Sequence, residues 1–172
     1  MARRDERRNA EGYYDPTAYA AIMNTEKGAL KVPIHYTIKG DPRTKKNSPR
    51  IMYKGQQCPR CHKGSIPFIM PSAAFKEYEE KALWQLVPKP RSPITQRVNV
   101  KCVFYMETQR DVDLNNLLES VCDILVAGNV LADDKSRIVA GHDGSRVVYD
   151  KYNPRVEITI TKMDDFEQLE LL

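Results

Sequence analysis

No run of apolar residues in this chain approaches the ~20 that a membrane-spanning helix requires, so a membrane protein built on helical spans is not expected. The opening segment MARRDERRNAEGYYD has arginines but no apolar stretch behind them. It does not read as a secretory signal, and the cytoplasm is the expected location. With no export signal, the four cysteines, Cys58, Cys61, Cys102 and Cys122, do not suggest a disulfide framework. No internal repeat is visible. The acidic stretch that begins at Asp111 mimics a calcium loop but lacks its two markers. The sixth position, where a glycine is needed, is Asn116, and the twelfth, where a bidentate glutamate belongs, is Cys122.

What is present fits a soluble globular protein: 172 residues, 41% of them hydrophobic and 29% charged, enough for one domain with an ordinary core. Residues 1–30 read as an arm, with Asp15-Pro16 opening a short helix through Met23. Residues 31–163 read as the main domain and 164–172 as an acidic tail. Charge is unevenly spread. Between Lys39 and Lys63 there are eight Lys and Arg and one acid, Asp41. The segment carries +7 and leaves −3 for the rest of a chain whose net charge is +4. Such a basic loop is either a solvated segment or the footprint of a polyanion, most often nucleic acid.

The hydrophobic periodicity predicts strands over Val32–Ile38, Val98–Met106, Ile138–Ala140 and Arg155–Thr161. Ile51–Tyr53 and Ile66–Met70 read as a hairpin. Pro71-Ser72 opens a helix over Ala73–Leu86, with Phe75, Tyr78, Ala82 and Leu86 on one face. A second helix spans Leu114–Ala127, with an apolar stripe of Leu114, Leu117, Leu118, Val121, Ile124 and Leu125. Gly128 sits where a left-handed cap belongs. Asn116, Glu119 and Asp123 line the opposite face. The order implies an α+β or mixed α/β fold, a small mixed sheet packed against two main helices.

Aspartates cluster around that second helix. Asp111 and Asp113 precede it, and Asp133 and Asp134 follow it. Crowded carboxylates repel unless a cation lies between them, and Mg²⁺ is the simplest resident. A strand running through Asp111 and Asp113 would put both on one side. The helix carries the chain about 20 Å away, so Asp133 and Asp134 must fold back to join them. Two plainer readings compete: Asp113 as a helix cap, and Asp133-Asp134 as a turn.

The segment from Asp111 to Val139 resembles the RusA family of Holliday junction resolvases, common in bacteriophages and prophages. The family pattern is D-x-D-N-L-x-K, then a helix with a further Asp, then a D-D dipeptide and a strand. Asp113, Asn116, Leu117, Asp123, Asp133 and Asp134 stand in matching places. Arg43-Thr-Lys-Lys-Asn-Ser48 matches the family's early Lys/Asn-rich loop, and Pro71-Ser72 with Phe75–Tyr78 matches the helix that follows. Aligned without gaps from Asn116, the second family Asp becomes Asn115 and the Lys becomes Glu119. Aligned on D-x-D, the acids are Asp111 and Asp113 and the helix gains one residue.

The resemblance implies a homodimer that cuts opposing strands of four-way DNA junctions with Mg²⁺ or Mn²⁺, in the host cytoplasm if phage-encoded. Asp113 and Asp134 are then the principal catalytic and metal-binding residues, with Asp111 and Asp133 assisting. Lys45, Lys46, Asn47 and Arg110 are expected on DNA phosphates. The rival is a non-catalytic DNA-binding dimer, favoured by Asn115 and Glu119, with zinc as a candidate stabiliser. A third reading is a regulatory interaction protein with no salt-dependent DNA binding.

Cys58-Pro-Arg-Cys61-His62 is half of a zinc site, and zinc needs four ligands. A surface thiol pair on a hairpin tip is the plainer reading. His142 is a candidate proton shuttle or a solvated loop histidine. Tyr149–Arg155 reads as a loop that could touch DNA, and Trp84 as core or dimer interface.

Overall fold

The computed structural model describes residues 25–26, 29–30, 33–46, 50–54 and 66–163. Its centre is a five-stranded mixed sheet. Strand β3 (Ile34–Lys39) pairs antiparallel with β9 (Arg155–Lys162), which pairs antiparallel with β6 (Val98–Met106). On the far side of β6 lie β7 (Val139–Gly141) and β8 (Arg146–Tyr149), both parallel to it. Two small antiparallel pairs stand apart from this sheet: β1 (Thr25–Glu26) with β2 (Ala29–Leu30), and β4 (Arg50–Lys54) with β5 (Ile66–Met70).

Alternation along the strands sets the core. Tyr36, Ile158 and Cys102 sit side by side in register, and their neighbours Ile34, Ile38, Val156, Ile160, Val100 and Phe104 share that face. Helices α1 (Ala73–Gln85) and α2 (Leu114–Ala127) close over it in one continuous apolar cluster. Helix α1 contributes Tyr78 and Ala82, followed by Leu86 at its end, and it also buries Phe75. Helix α2 contributes Leu117, Leu118, Val121, Ile124 and Leu125, which with the partly buried Leu114 form the stripe that the periodicity predicts. Each such side chain, taken from water, stabilises the fold by about 1.5–3 kcal/mol. The opposite face of the sheet is polar: His35 bonds Thr159, Tyr105 bonds Glu157, and the Arg155 guanidinium stacks 3.6 Å above the Tyr105 ring.

Helix α2 is the crossover between β6 and its parallel neighbour β7, a connection that two parallel strands need. Helix α1 starts at Ser72, whose hydroxyl accepts the Phe75 amide. Where β7 stops and β8 starts, side chains bridge the gap in the ladder. His142 Nδ1 donates to the Val100 carbonyl at 2.9 Å, and Ser145 Oγ accepts the Cys102 amide at 2.9 Å. His142 is therefore engaged with the sheet edge rather than solvated in a loop.

Several details differ from the sequence reading. Strand β6 ends at Met106, so Asp111 and Asp113 lie in an irregular loop and not on a strand. Gly128 has φ −75, an ordinary helical value, while the left-handed residue is Asn129 at φ 63. The glycine answers a packing need: a Cβ there would lie 2.5 Å from Leu86 Cδ1 and 3.0 Å from the Ile124 carbonyl oxygen. Trp84, read as core or dimer interface, is 85% exposed in the chain, which removes the core reading. Residues 146–149 form β8, a strand that the periodicity does not predict, and only Tyr149 of it falls in the segment read as loop. The helix expected over residues 16–23 and the tail 164–172 lie outside the described residues. No described helix is long and apolar enough to cross a membrane.

Candidate nucleic-acid interface and its carboxylates

Asp113 is the N-cap of α2. Its Oδ1 accepts the Asn115 amide at 2.8 Å and the Asn116 amide at 3.4 Å, satisfying donors that a helix start leaves without partners. Asp111 stands exposed two residues earlier. At the other end of α2, the amides of Val130 and Leu131 bond the Leu125 carbonyl, and Ala132 N bonds the Ile94 carbonyl. The backbone leading to Asp133 and Asp134 is thus pinned at the end of α2 opposite to Asp113, about 20 Å along a helix of this length.

Asp133 makes its own local set. Its Oδ2 takes Arg137 at 2.6 Å and Lys135 at 3.1 Å, and its Oδ1 accepts the Asp134 amide at 2.9 Å. The Lys135 ammonium above all holds this carboxyl down at about 2, against the opposing effect of burial, and Arg137 adds to the lowering. Asp134 is exposed, and its negative charge acts on Cys122 in the second half of α2. Burial, then Asp134 and Asp123, push the Cys122 thiol up to about 12. Among the described residues, no three His, Cys, Asp or Glu side chains converge to hold a metal ion. The cage of Asp111, Asp113, Asp133 and Asp134 expected from sequence is not present as a group of three or more converging ligands among the described residues.

Lys45 and Lys46, expected on phosphate, face the polar stripe of α2. Lys45 Nζ lies 2.7 Å from Asp123 Oδ2, and Lys46 Nζ lies 2.6 Å from Glu119 Oε2. The Lys45 amide donates to Ser120 Oγ at 2.9 Å, and that hydroxyl donates to the Asn116 carbonyl at 2.9 Å. The bond to Asp123 raises the Lys45 pKa, and burial opposes it. Both pairs are partly exposed and so contribute little to stability. Asn47, Cys58, Cys61 and His62 lie outside the described residues.

Between the starts of α1 and α2 the chain leaves a cavity of about 170 Å³. Arg43, Thr44, Ser72, Ala74, Arg110, Val112 and Leu117 are among the residues that line it. Arg110 Nη2 and Arg43 Nη2 lie 3.1 and 3.3 Å from the same oxygen, Asp41 Oδ2. The other oxygen, Oδ1, accepts the Glu107 amide at 3.1 Å. Asp41 is the single acid among the eight cations of the 39–63 segment. It orients both guanidiniums yet neutralises only one. Burial, helped by the Asp41 charge, pushes the Tyr78 phenol well above its ordinary range. Its hydroxyl and Thr44 Oγ1 are both buried without a hydrogen-bond partner.

Sequence reasoning reached Arg110 but not Asp41, Thr44 or Ser72. The one available signal was the isolation of Asp41 among cations. The two carboxylates nearest this cavity in sequence, Asp111 and Asp113, flank the lining residue Val112. Hard oxygen donors beside cationic donors form a set that can take a divalent ion together with a phosphate, since Mg²⁺ usually needs only one or two protein carboxylates.

The family model described as Endodeoxyribonuclease RusA matches residues 51–161, well over half of the chain. The match includes both helices, β6, most of β9 and all four aspartates around α2. No curated protein matches the sequence.

Proposed function

Because the chain belongs to the RusA family of endodeoxyribonucleases, we propose that it is a divalent-metal-dependent, structure-selective nuclease that resolves four-way DNA junctions as a homodimer. The carrying observation is the placing of Asp111 and Asp113 beside a cationic cavity at the start of α2. Asp111 and Asp113 would hold Mg²⁺ or Mn²⁺, leaving the remaining positions to water and DNA phosphate. When bound, such an ion would supply activation of a water and charge stabilisation for in-line attack on the phosphodiester.

The chain's own groups do the rest. Arg110, with Lys45, Lys46 and Asn47, would neutralise backbone phosphates with little regard to sequence. Asp134 and Asp133 complete the carboxylate set only if DNA or a second subunit brings them to Asp113. Two-fold symmetry of a dimer would match the pseudo-two-fold symmetry of a junction and place two cuts on opposing strands.

The test is cleavage of a synthetic four-way junction with Mg²⁺ by the wild type, Asp113→Asn and Asp134→Asn, beside a sedimentation measurement of mass. Paired cutting by the wild type, its loss in Asp113→Asn, and a mass near twice 19.8 kDa are expected. Undiminished cutting by Asp113→Asn would end the catalytic assignment. That no three metal-ligating side chains converge among the described residues favours a second reading, a DNA-binding dimer without nuclease activity. Tight junction binding without cleavage in either Mg²⁺ or Mn²⁺ would select it.

A further inference from the structure

We propose that the cavity between the starts of α1 and α2 is a built subsite for a single backbone phosphate of DNA, gripped by Arg43, Arg110 and the hydroxyl of Thr44. The proposal rests on the reading of the protein as a DNA-binding nuclease and adds to it a specific pocket, part of which, Pro42 to Thr44, lies before the span shared with the family. Four observations carry it.

First, two guanidiniums share one buried carboxylate, so one positive charge in the cavity remains unneutralised. Asp41 holds both planes through the same oxygen, and a guanidinium so fixed loses little freedom on meeting an oxyanion. Second, Thr44 lines the cavity, is 5% exposed, and its Oγ1 has no hydrogen-bond partner. A buried hydroxyl without a partner is destabilising, and a ligand oxygen met by a small turn of the side chain would relieve it.

Third, Ser72 and Ala74 bring the first turn of α1, a thirteen-residue helix with no acid in that turn, to the same cavity. Its positive end favours an anion. Ser72 Oγ already accepts the Phe75 amide, which leaves its own proton to donate. Fourth, the space is about 170 Å³, far above the ~10–15 Å³ that a single water requires. The lining suits a sugar–phosphate unit. Val112 and Leu117 offer an apolar wall to a deoxyribose, and no aromatic ring lines the cavity to stack a base. Asp111 and Asp113 flank Val112, which puts the held phosphate next to the carboxylates of the proposed metal.

The experiment measures junction affinity and thermal stability for the full chain and for Thr44→Val and Arg43→Gln, with inorganic phosphate titrated in parallel and followed by amide chemical shifts. Thr44→Val removes an unsatisfied hydroxyl at nearly constant shape. It should raise the melting temperature yet weaken junction binding about tenfold. A purely structural Thr44 would not separate these two readouts. Arg43→Gln should weaken binding and reduce the slope of log K against log salt by about 1. Inorganic phosphate should shift the amides of Thr44 and Ala74. Wild-type junction affinity in both variants overturns the subsite and leaves the nuclease reading intact. If the wild type binds no DNA, that reading fails, and the phosphate titration alone decides the pocket: shifts at Thr44 and Ala74 support an oxyanion site, and their absence overturns it.

Discussion

The ammonium of Lys45 lies 2.7 Å from Oδ2 of Asp123, a contact between residues 78 positions apart. With the neighbouring Lys46–Glu119 pair it lays the end of the basic loop along α2. The cations proposed to meet DNA are thus held by carboxylates in the free protein, and a phosphate must displace them.

Asp123→Asn should free Lys45 and steepen the slope of log K against log salt for junction binding by about 1. Stability should fall by no more than about 1 kcal/mol, as for any exposed pair. Fluorescence anisotropy over a range of salt concentrations gives the slope. An unchanged slope would mean that Lys45 never leaves Asp123.

Asp113 has a capping role that can be separated from its proposed catalytic one. Asp113→Ala should lower stability by about 0.5–2 kcal/mol through loss of the cap. Asp113→Asn keeps an equally good cap and should unfold near the wild-type midpoint while losing cleavage. Urea denaturation beside the junction assay separates the two. A shared large stability loss would show that capping alone explains both.

The Asp133 carboxyl is held at about 2 in the fold, against an ordinary value of 3.8. A carboxyl depressed by folding stabilises the fold fully above its unfolded pKa, and that contribution is lost as pH falls through the folded value. The stabilising effect should therefore be complete above about pH 4 and disappear towards pH 2. Asp133→Asn should flatten the stability–pH curve in that window, and added salt should flatten the wild-type curve, since Lys135 and Arg137 are exposed. Parallel curves for variant and wild type in low salt would rule this out.

Gly128→Ala should destabilise the protein by about 1–3 kcal/mol by overpacking, because the added methyl would meet Leu86 and the Ile124 carbonyl. The midpoint of chemical denaturation reports it. A neutral result would mean that Leu86, fully buried at the end of α1, can swing aside.

Much of the scaffold was legible in the sequence because its signals are local. Ser72 followed by Phe75, Tyr78, Ala82 and Leu86 marks the start and buried face of α1, and both features are present. Val98, Val100, Cys102, Phe104 and Met106 alternate because one side of β6 is the core. Strand β8 was missed because Val147 and Tyr149 are exposed and only pairing with Phe104 and Met106 makes the segment a strand. The site was harder for the same reason. Asp113 can be cap or ligand on identical sequence grounds. The partners of Lys45 lie 75 and 78 residues away. Whether Asp134 rejoins Asp113 depends on the route after Leu131, fixed by bonds to Leu125 and Ile94 that no spacing reveals.

The contact of Gly128 with Leu83 and Leu86 joins the C-terminal ends of the two helices, while their N-terminal ends border the same cavity. The helices thus run side by side in the same direction, and their dipoles reinforce each other at one mouth instead of cancelling as antiparallel neighbours would. Such an alignment is electrostatically unfavourable in an empty protein. It makes negative charge at that mouth, whether from Asp113 and Asp41 or from an incoming strand, a structural requirement of the fold as well as a property of its chemistry.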